Sequence, residues 1–140
     1  MAYLVGALLA LAVGGMATLL RLDRDRAFYP TVLIIVASYY ALFAVIGGSI
    51  HALLAESVGI AIFLAAALVG FQGSLWLVVS GLAAHGVYDA FHARMITNPG
   101  VPLWWAPFCL AYDVVAAGYL SYLLLRRVIP VQAVRAGNNI

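Results

Sequence analysis

Apolar residues run along this chain in long uninterrupted blocks, and polar residues gather at the few points between them. The blocks cover residues 2–20, 28–46, 51–69, 75–95 and 103–125. Each is close to the roughly 20 residues a helix needs to cross bilayer hydrocarbon. Strands of a membrane barrel would alternate polar and apolar with period two, whereas these runs are continuous, so helices are predicted. The separators fit. Arg21-Leu-Asp-Arg-Asp-Arg26 follows the first block, Gly47-Gly48-Ser49 the second, Gly70-Phe-Gln-Gly-Ser74 the third and Thr97-Asn-Pro-Gly-Val-Pro102 the fourth. Pro30 falls in the first turn of the second block, where a missing N–H has no helical partner to lose. The expected fold class is all-α: a polytopic helical membrane protein of about five spans, with residues 1–140 forming one domain.

Composition sharpens this reading. Hydrophobic residues make up 66% of the 140 and charged residues 9%, with a mean hydropathy of +1.09, which excludes the ordinary soluble classes. Five spans with short connections leave no length for a soluble domain. The net charge of +2 sits in two clusters at block ends, so it reports topology and not a nucleic-acid partner. The expected partners are the lipid bilayer and a lipid-like or small-molecule ligand. All seven basic residues are arginine. With an external N-terminus and a cytoplasmic C-terminus, Arg21, Arg24, Arg26, Arg126, Arg127 and Arg135 fall inside and only Arg94 outside, as the positive-inside rule requires. Because positive charge follows the first block instead of preceding it, a cleaved signal peptide is not expected. Trp104 and Trp105 read as interface anchors. The Ala10, Gly14, Thr18 stripe reads as a packing face through which a homo-oligomer could form. Cys109 is the single cysteine, so no internal disulfide is available, and it reads as a small apolar filler.

Against this background the ionisable residues within the blocks stand out. His85, Asp89 and His92 lie in the fourth, Glu56 and His51 in the third and Asp113 in the fifth. An ionisable group at mid-bilayer costs roughly 2.5 to 3.5 kcal/mol on insertion scales, so a cluster is by default a functional site. At about 100° per residue, His85, Asp89 and His92 share an arc of about 60° on one helix face. With alternating span directions, Glu56 and Asp113 fall in the same half of the membrane, from its middle to its outer surface. His51 lies about 140° around the helix from Glu56 and reads as interfacial, and Arg94 is expected to snorkel to the surface or pair with Asp89. Imidazole and carboxylate ligands on facing helices are how metal sites are built in helical bundles. His85, Asp89, His92 and Asp113 are the candidate ligands, with Glu56 as base or fourth ligand and Asp113 as a second catalytic carboxylate. Mixed nitrogen and oxygen ligands suit a divalent transition metal, zinc or iron before magnesium or calcium. Haem fits poorly, because it needs facing histidines and His85 with His51 is the main pair on offer. The same residues could form a proton relay, or could simply lock helix packing.

The octapeptide His85-Gly-Val-Tyr-Asp-Ala-Phe-His92, with Tyr112-Asp113 in the last block, resembles a group of small bacterial integral membrane proteins that carry an HGxxDxxH motif in a transmembrane helix. The resemblance implies a multi-pass protein of the bacterial inner membrane and carries over no activity. Membrane hydrolases of the alkaline ceramidase and progestin-receptor type also place His, Asp and Ser around zinc. They have seven spans and a different spacing, so they serve as an analogy for lipid amide hydrolysis in such a pocket. The functional expectation is a metal-binding membrane protein, in the enzymatic case a hydrolase of lipid-like substrates. The alternatives are a proton- or metal-handling transporter subunit and a non-catalytic assembly partner.

Overall fold

A computed structural model describes residues 1–133. It contains five helices: α1 (Ala2–Leu19), α2 (Phe28–Ile46), α3 (Ile50–Gln72), α4 (Leu75–Met95) and α5 (Trp105–Leu125). Four of them, α1, α2, α3 and α5, are long and apolar enough to cross a membrane. α4 has the same 21 residues as α5, but its buried His85, Asp89 and His92 lower its hydropathy. Helix ends follow local chemistry. Ser49 and Ser74 cap α3 and α4 through their side chains, and α3 runs through Gln72, beyond the Gly70 at which the sequence pattern breaks it. α1, α2 and α5 each close with a left-handed residue after the cap: Arg21 (φ 61°), Gly48 (φ 64°) and Arg127 (φ 55°). In each case the next N–H reaches back to a carbonyl of the last turn, Leu22 to Ala17, Ser49 to Ala44 and Val128 to Leu123.

The helices form a chain of neighbours in which α1 packs on α5, α5 on α4, α4 on α3 and α3 on α2, with α2 also touching α4. Glycines set the closest approaches. A Cβ at Gly6 would collide with the Phe108 carbonyl of α5, and one at Gly14 would sit 2.9 Å from the Tyr119 ring. Gly6, Ala10, Gly14 and Ala17 are the buried residues of α1. Ala10 and Gly14 of the small-residue stripe are therefore used within the chain, against α5. Between α4 and α5, a Cβ at Gly86 would meet Leu110 at 3.3 Å and the Asp113 Cβ at 3.5 Å. That close approach is what brings Asp113 to His85.

Five arginines gather at one end of the bundle. Arg24 donates to the Val128 carbonyl, tying the α1–α2 turn to the segment after α5. Arg26 is buried and donates to the carbonyls of Pro130, Gly70, Phe71 and Gly73. Burial lowers its pKa from the usual value. One guanidinium thus satisfies the C-terminal carbonyls of α3, where unpaired acceptors would be costly. Arg94 lies exposed in the last turn of α4, at the opposite end, and Arg135 lies outside the described residues.

Adding a side chain at the α1–α5 contact tests this packing. Gly6→Val should destabilise the protein by about 1–3 kcal/mol, seen as a lower thermal midpoint in detergent. Gly118→Val adds the same atoms to the same bundle where a Cβ meets nothing within 4 Å, and should leave the midpoint unchanged. Equal effects of the two would contradict the packing described.

Candidate metal centre

α4 lies between α5 and α3, so its polar face serves two neighbours. His85, Asp89 and His92 are all buried. Towards α5, His85 Nδ1 lies 2.6 Å from Asp113 Oδ2 and 3.4 Å from Asp89 Oδ2, one turn along its own helix. Cys109, one turn before Asp113, places its Sγ 3.7 Å from the same Asp113 Oδ2. From α2, the Tyr40 hydroxyl donates to Asp89 Oδ1 at 2.5 Å. His85, Asp89, Cys109 and Asp113 each offer a ligand atom, all within 4.8 Å of one another, and all four residues are buried. This group could hold a metal ion.

The donor set also has spare capacity. Asp89 Oδ2 and Asp113 Oδ1 are buried without a hydrogen-bond partner among the described residues. Two carboxylates share one imidazole, and with His85 neutral, as a metal ligand must be, the pair would carry two negative charges in a low dielectric, which a divalent cation offsets. Metal bonds of about 2.0–2.3 Å put tetrahedral ligand atoms about 3.3–3.8 Å apart. Relative to the present geometry, the His85–Asp113 pair would open and the widest pairs close by about 1 Å. The remaining imidazole nitrogen, His85 Nε2, has no hydrogen-bond partner among the described residues, and the Phe63 ring packs edge-on against the imidazole at 4.8 Å between centroids.

Towards α3 a second group forms. Glu56 Oε1 lies 2.7 Å from His92 Nε2 and accepts from Asn98 Nδ2 at 2.9 Å, while Oε2 accepts from the Tyr88 hydroxyl at 2.8 Å. Both oxygens of Glu56 are engaged. Tyr40 joins the two groups: its hydroxyl holds Asp89, its ring stacks on His92 at 4.0 Å, and its carbonyl accepts from Asn98.

Of the ligands read from the sequence, the fold brings together His85, Asp89 and Asp113 and sets His92 apart with Glu56. His92 Nε2 is directed to Glu56 Oε1 and its ring lies on Tyr40, while its Cα sits about 10 Å along α4 from that of His85. Glu56 accordingly lies outside the four-residue group, with its two oxygens engaged by His92, Asn98 and Tyr88. Cys109, read as a filler, joins that group, and its i, i+4 spacing from Asp113 was the available signal. Asp89 pairs with Tyr40 and His85 instead of Arg94. His51 lies exposed in the first turn of α3 and joins neither group. The sequence offered no sign that Asn98, in a proline-glycine turn, would reach back to Glu56.

The two groups should respond differently to substitution. Glu56→Gln removes a buried charge that three donors satisfy and should cost about 1–3 kcal/mol, read as a lower thermal midpoint, with unchanged metal content. A midpoint equal to wild type would contradict the network. Protein-family models, curated proteins and solved structures were all compared with the chain, and none matches it.

Proposed function

We propose that this chain is an integral membrane protein of five spans that binds one divalent transition metal through His85, Cys109 and Asp113, with Asp89 beside the ion. The observation that carries the reading is the buried set of four ligand-type atoms within 4.8 Å, on residues whose Asp89 Oδ2 and Asp113 Oδ1 have no hydrogen-bond partner among the described residues. Sulfur, imidazole and carboxylate together favour zinc, with iron next. The five arginines at one end of the helices support an external N-terminus, and with it a position for α4's polar groups between the middle and the outer surface of the membrane.

Three protein ligands and a water form the pattern of a catalytic site, whereas four protein ligands close it. Asp89, oriented by the Tyr40 hydroxyl, is suited to take a proton from such a water, and the role of base passes to it from Glu56. The chemistry that fits is hydrolysis of a lipid-like ester or amide: water adds to the carbonyl, the bond to the leaving oxygen or nitrogen breaks, and the proton held by Asp89 goes to that atom. Proton or metal transport ranks second. Its support is the Glu56–His92 group linked to the first by Tyr40. Leu33, Val78, Leu82 and Leu120 are fully buried apolar residues in the arginine-end half of their helices, and a relay would have to cross that layer.

Metal analysis of detergent-purified protein prepared without chelator is the test. Near-stoichiometric zinc or iron is expected, lost in His85→Ala and Asp113→Asn. Wild-type protein free of transition metal would overturn the reading. Substitutions that lower thermal stability without touching metal content would instead favour a packing role, and pH-dependent flux in liposomes abolished by Asp113→Asn would favour transport.

A further inference from the structure

α1 and α5 run side by side in the same direction, and both lead into arginines. Arg24 donates to the Val128 carbonyl and Arg26 to the Pro130 carbonyl, each pair 104 residues apart, while Gly6 packs on the Phe108 carbonyl at the far end of the same contact. This register sets Arg21 and Arg24 beside Arg126 and Arg127 at one level of the bundle. All four are exposed.

The chain supplies little negative charge to balance them. Five arginines meet two aspartates at this end. Asp23 is buried and accepts from the Thr18 hydroxyl at 2.7 Å, with Arg24 Nε 3.8 Å from its other oxygen, and Asp25 accepts from the Ala27 N–H. Among the described residues Arg21, Arg126 and Arg127 have no ion pair and no side-chain hydrogen bond. The Arg126 guanidinium lies only over the Tyr122 ring, 5.8 Å from its centre. Like charges gathered by helix packing repel, and an anion placed among them removes that cost.

The surroundings select the kind of anion. Just before the arginines, Leu19 and Leu20 of the first helix end and Tyr122 and Leu125 of α5 are 85%, 63%, 52% and 72% exposed, so the cationic groups cap a surface of bare hydrocarbon. A soluble anion uses only the first feature. A phospholipid uses both: its phosphodiester accepts from planar guanidinium forks, which match phosphate oxygens better than an ammonium does, and its chains cover the leucines. Basic clusters at helix ends on one membrane face are a footprint of anionic lipid.

We infer that the arginine end of α1 and α5 is a binding site for an anionic phospholipid, its phosphodiester among Arg21, Arg24, Arg126 and Arg127 and its acyl chains on Leu19, Leu20 and Leu125. The headgroup carries no cation of its own, because the ammonium of phosphatidylcholine already balances its phosphate. The site is independent of the metal-centre reading and needs only that the helices cross a bilayer.

Spin-labelled lipids measure the preference directly. In phosphatidylcholine vesicles containing the full chain, the protein-restricted fraction of spin-labelled phosphatidylglycerol is compared with that of phosphatidylcholine bearing the same label. Phosphatidylglycerol is expected to associate about fivefold more strongly. The ratio should fall toward one in Arg21→Gln/Arg126→Gln/Arg127→Gln and stay unchanged in Arg94→Gln, at the opposite end of the bundle. Removing arginines can upset insertion, so wild type supplies a second reading: about 1 M salt, which screens charges beyond roughly 3 Å, should lower its ratio too. Millimolar glycerol phosphate should not displace the lipid. Equal association of the two lipids with wild type, a ratio that salt leaves intact, full displacement by glycerol phosphate, or a loss in Arg94→Gln as large as in the triple variant would overturn the inference.

Discussion

His85 and Asp113 meet 2.6 Å apart with both side chains fully buried, and the arrangement of the bundle follows from that contact. Neither group can be left alone in hydrocarbon, because an unpaired ionisable side chain there costs several kcal/mol. They can meet only if α4 and α5 approach closely, and Gly86 allows this by presenting no side chain to Leu110 and Asp113. Once α5 is fixed, its other face is free for α1, which docks through Gly6 and Gly14. Tyr40 then anchors α2 by its bond to Asp89. Between helices in lipid no hydrophobic force distinguishes one apolar face from another, so small residues and polar contacts select the neighbours.

The two polar groups differ in one respect that bears on function. Around Glu56 every carboxylate oxygen is used, and the group has the character of a lock between α3, α4 and the loop carrying Asn98. Around His85, acceptors outnumber donors, and two buried carboxylate oxygens are left over. A saturated network contributes stability; one with spare acceptors in low dielectric can be completed by a cation or by a proton. Tyr40 contacts both, so the geometry of the locked group fixes the orientation of Asp89 in the other.

Much of the architecture was legible in the chain. The boundaries of α2 and α4 follow directly from the hydropathy blocks, and the serine caps and proline-glycine breaks mark real turns. The polar residues of α4, α3 and α5 were identified as a buried constellation from their types alone. What the sequence could not give was its division. A helical wheel projects His85 and His92 onto one face and discards the 10 Å or so between them along the axis, so a single constellation was read where the fold forms two groups. Cys109 was read as packing because a lone cysteine in an apolar run looks like filler until its neighbour across one turn is known to be buried and acceptor-rich. The contribution of Tyr40 depends on α2 crossing α4 at that height, and that of Asn98 on a loop folding back. Both are tertiary facts with no local signature.

X-ray absorption at the edge of the bound metal tests the central claim most directly. The account predicts one sulfur scatterer near 2.3 Å with nitrogen and oxygen neighbours near 2.0–2.2 Å, and loss of the sulfur shell in Cys109→Ser. An ion coordinated by two imidazoles without sulfur would contradict it, because that set requires His92 in a place the fold does not put it.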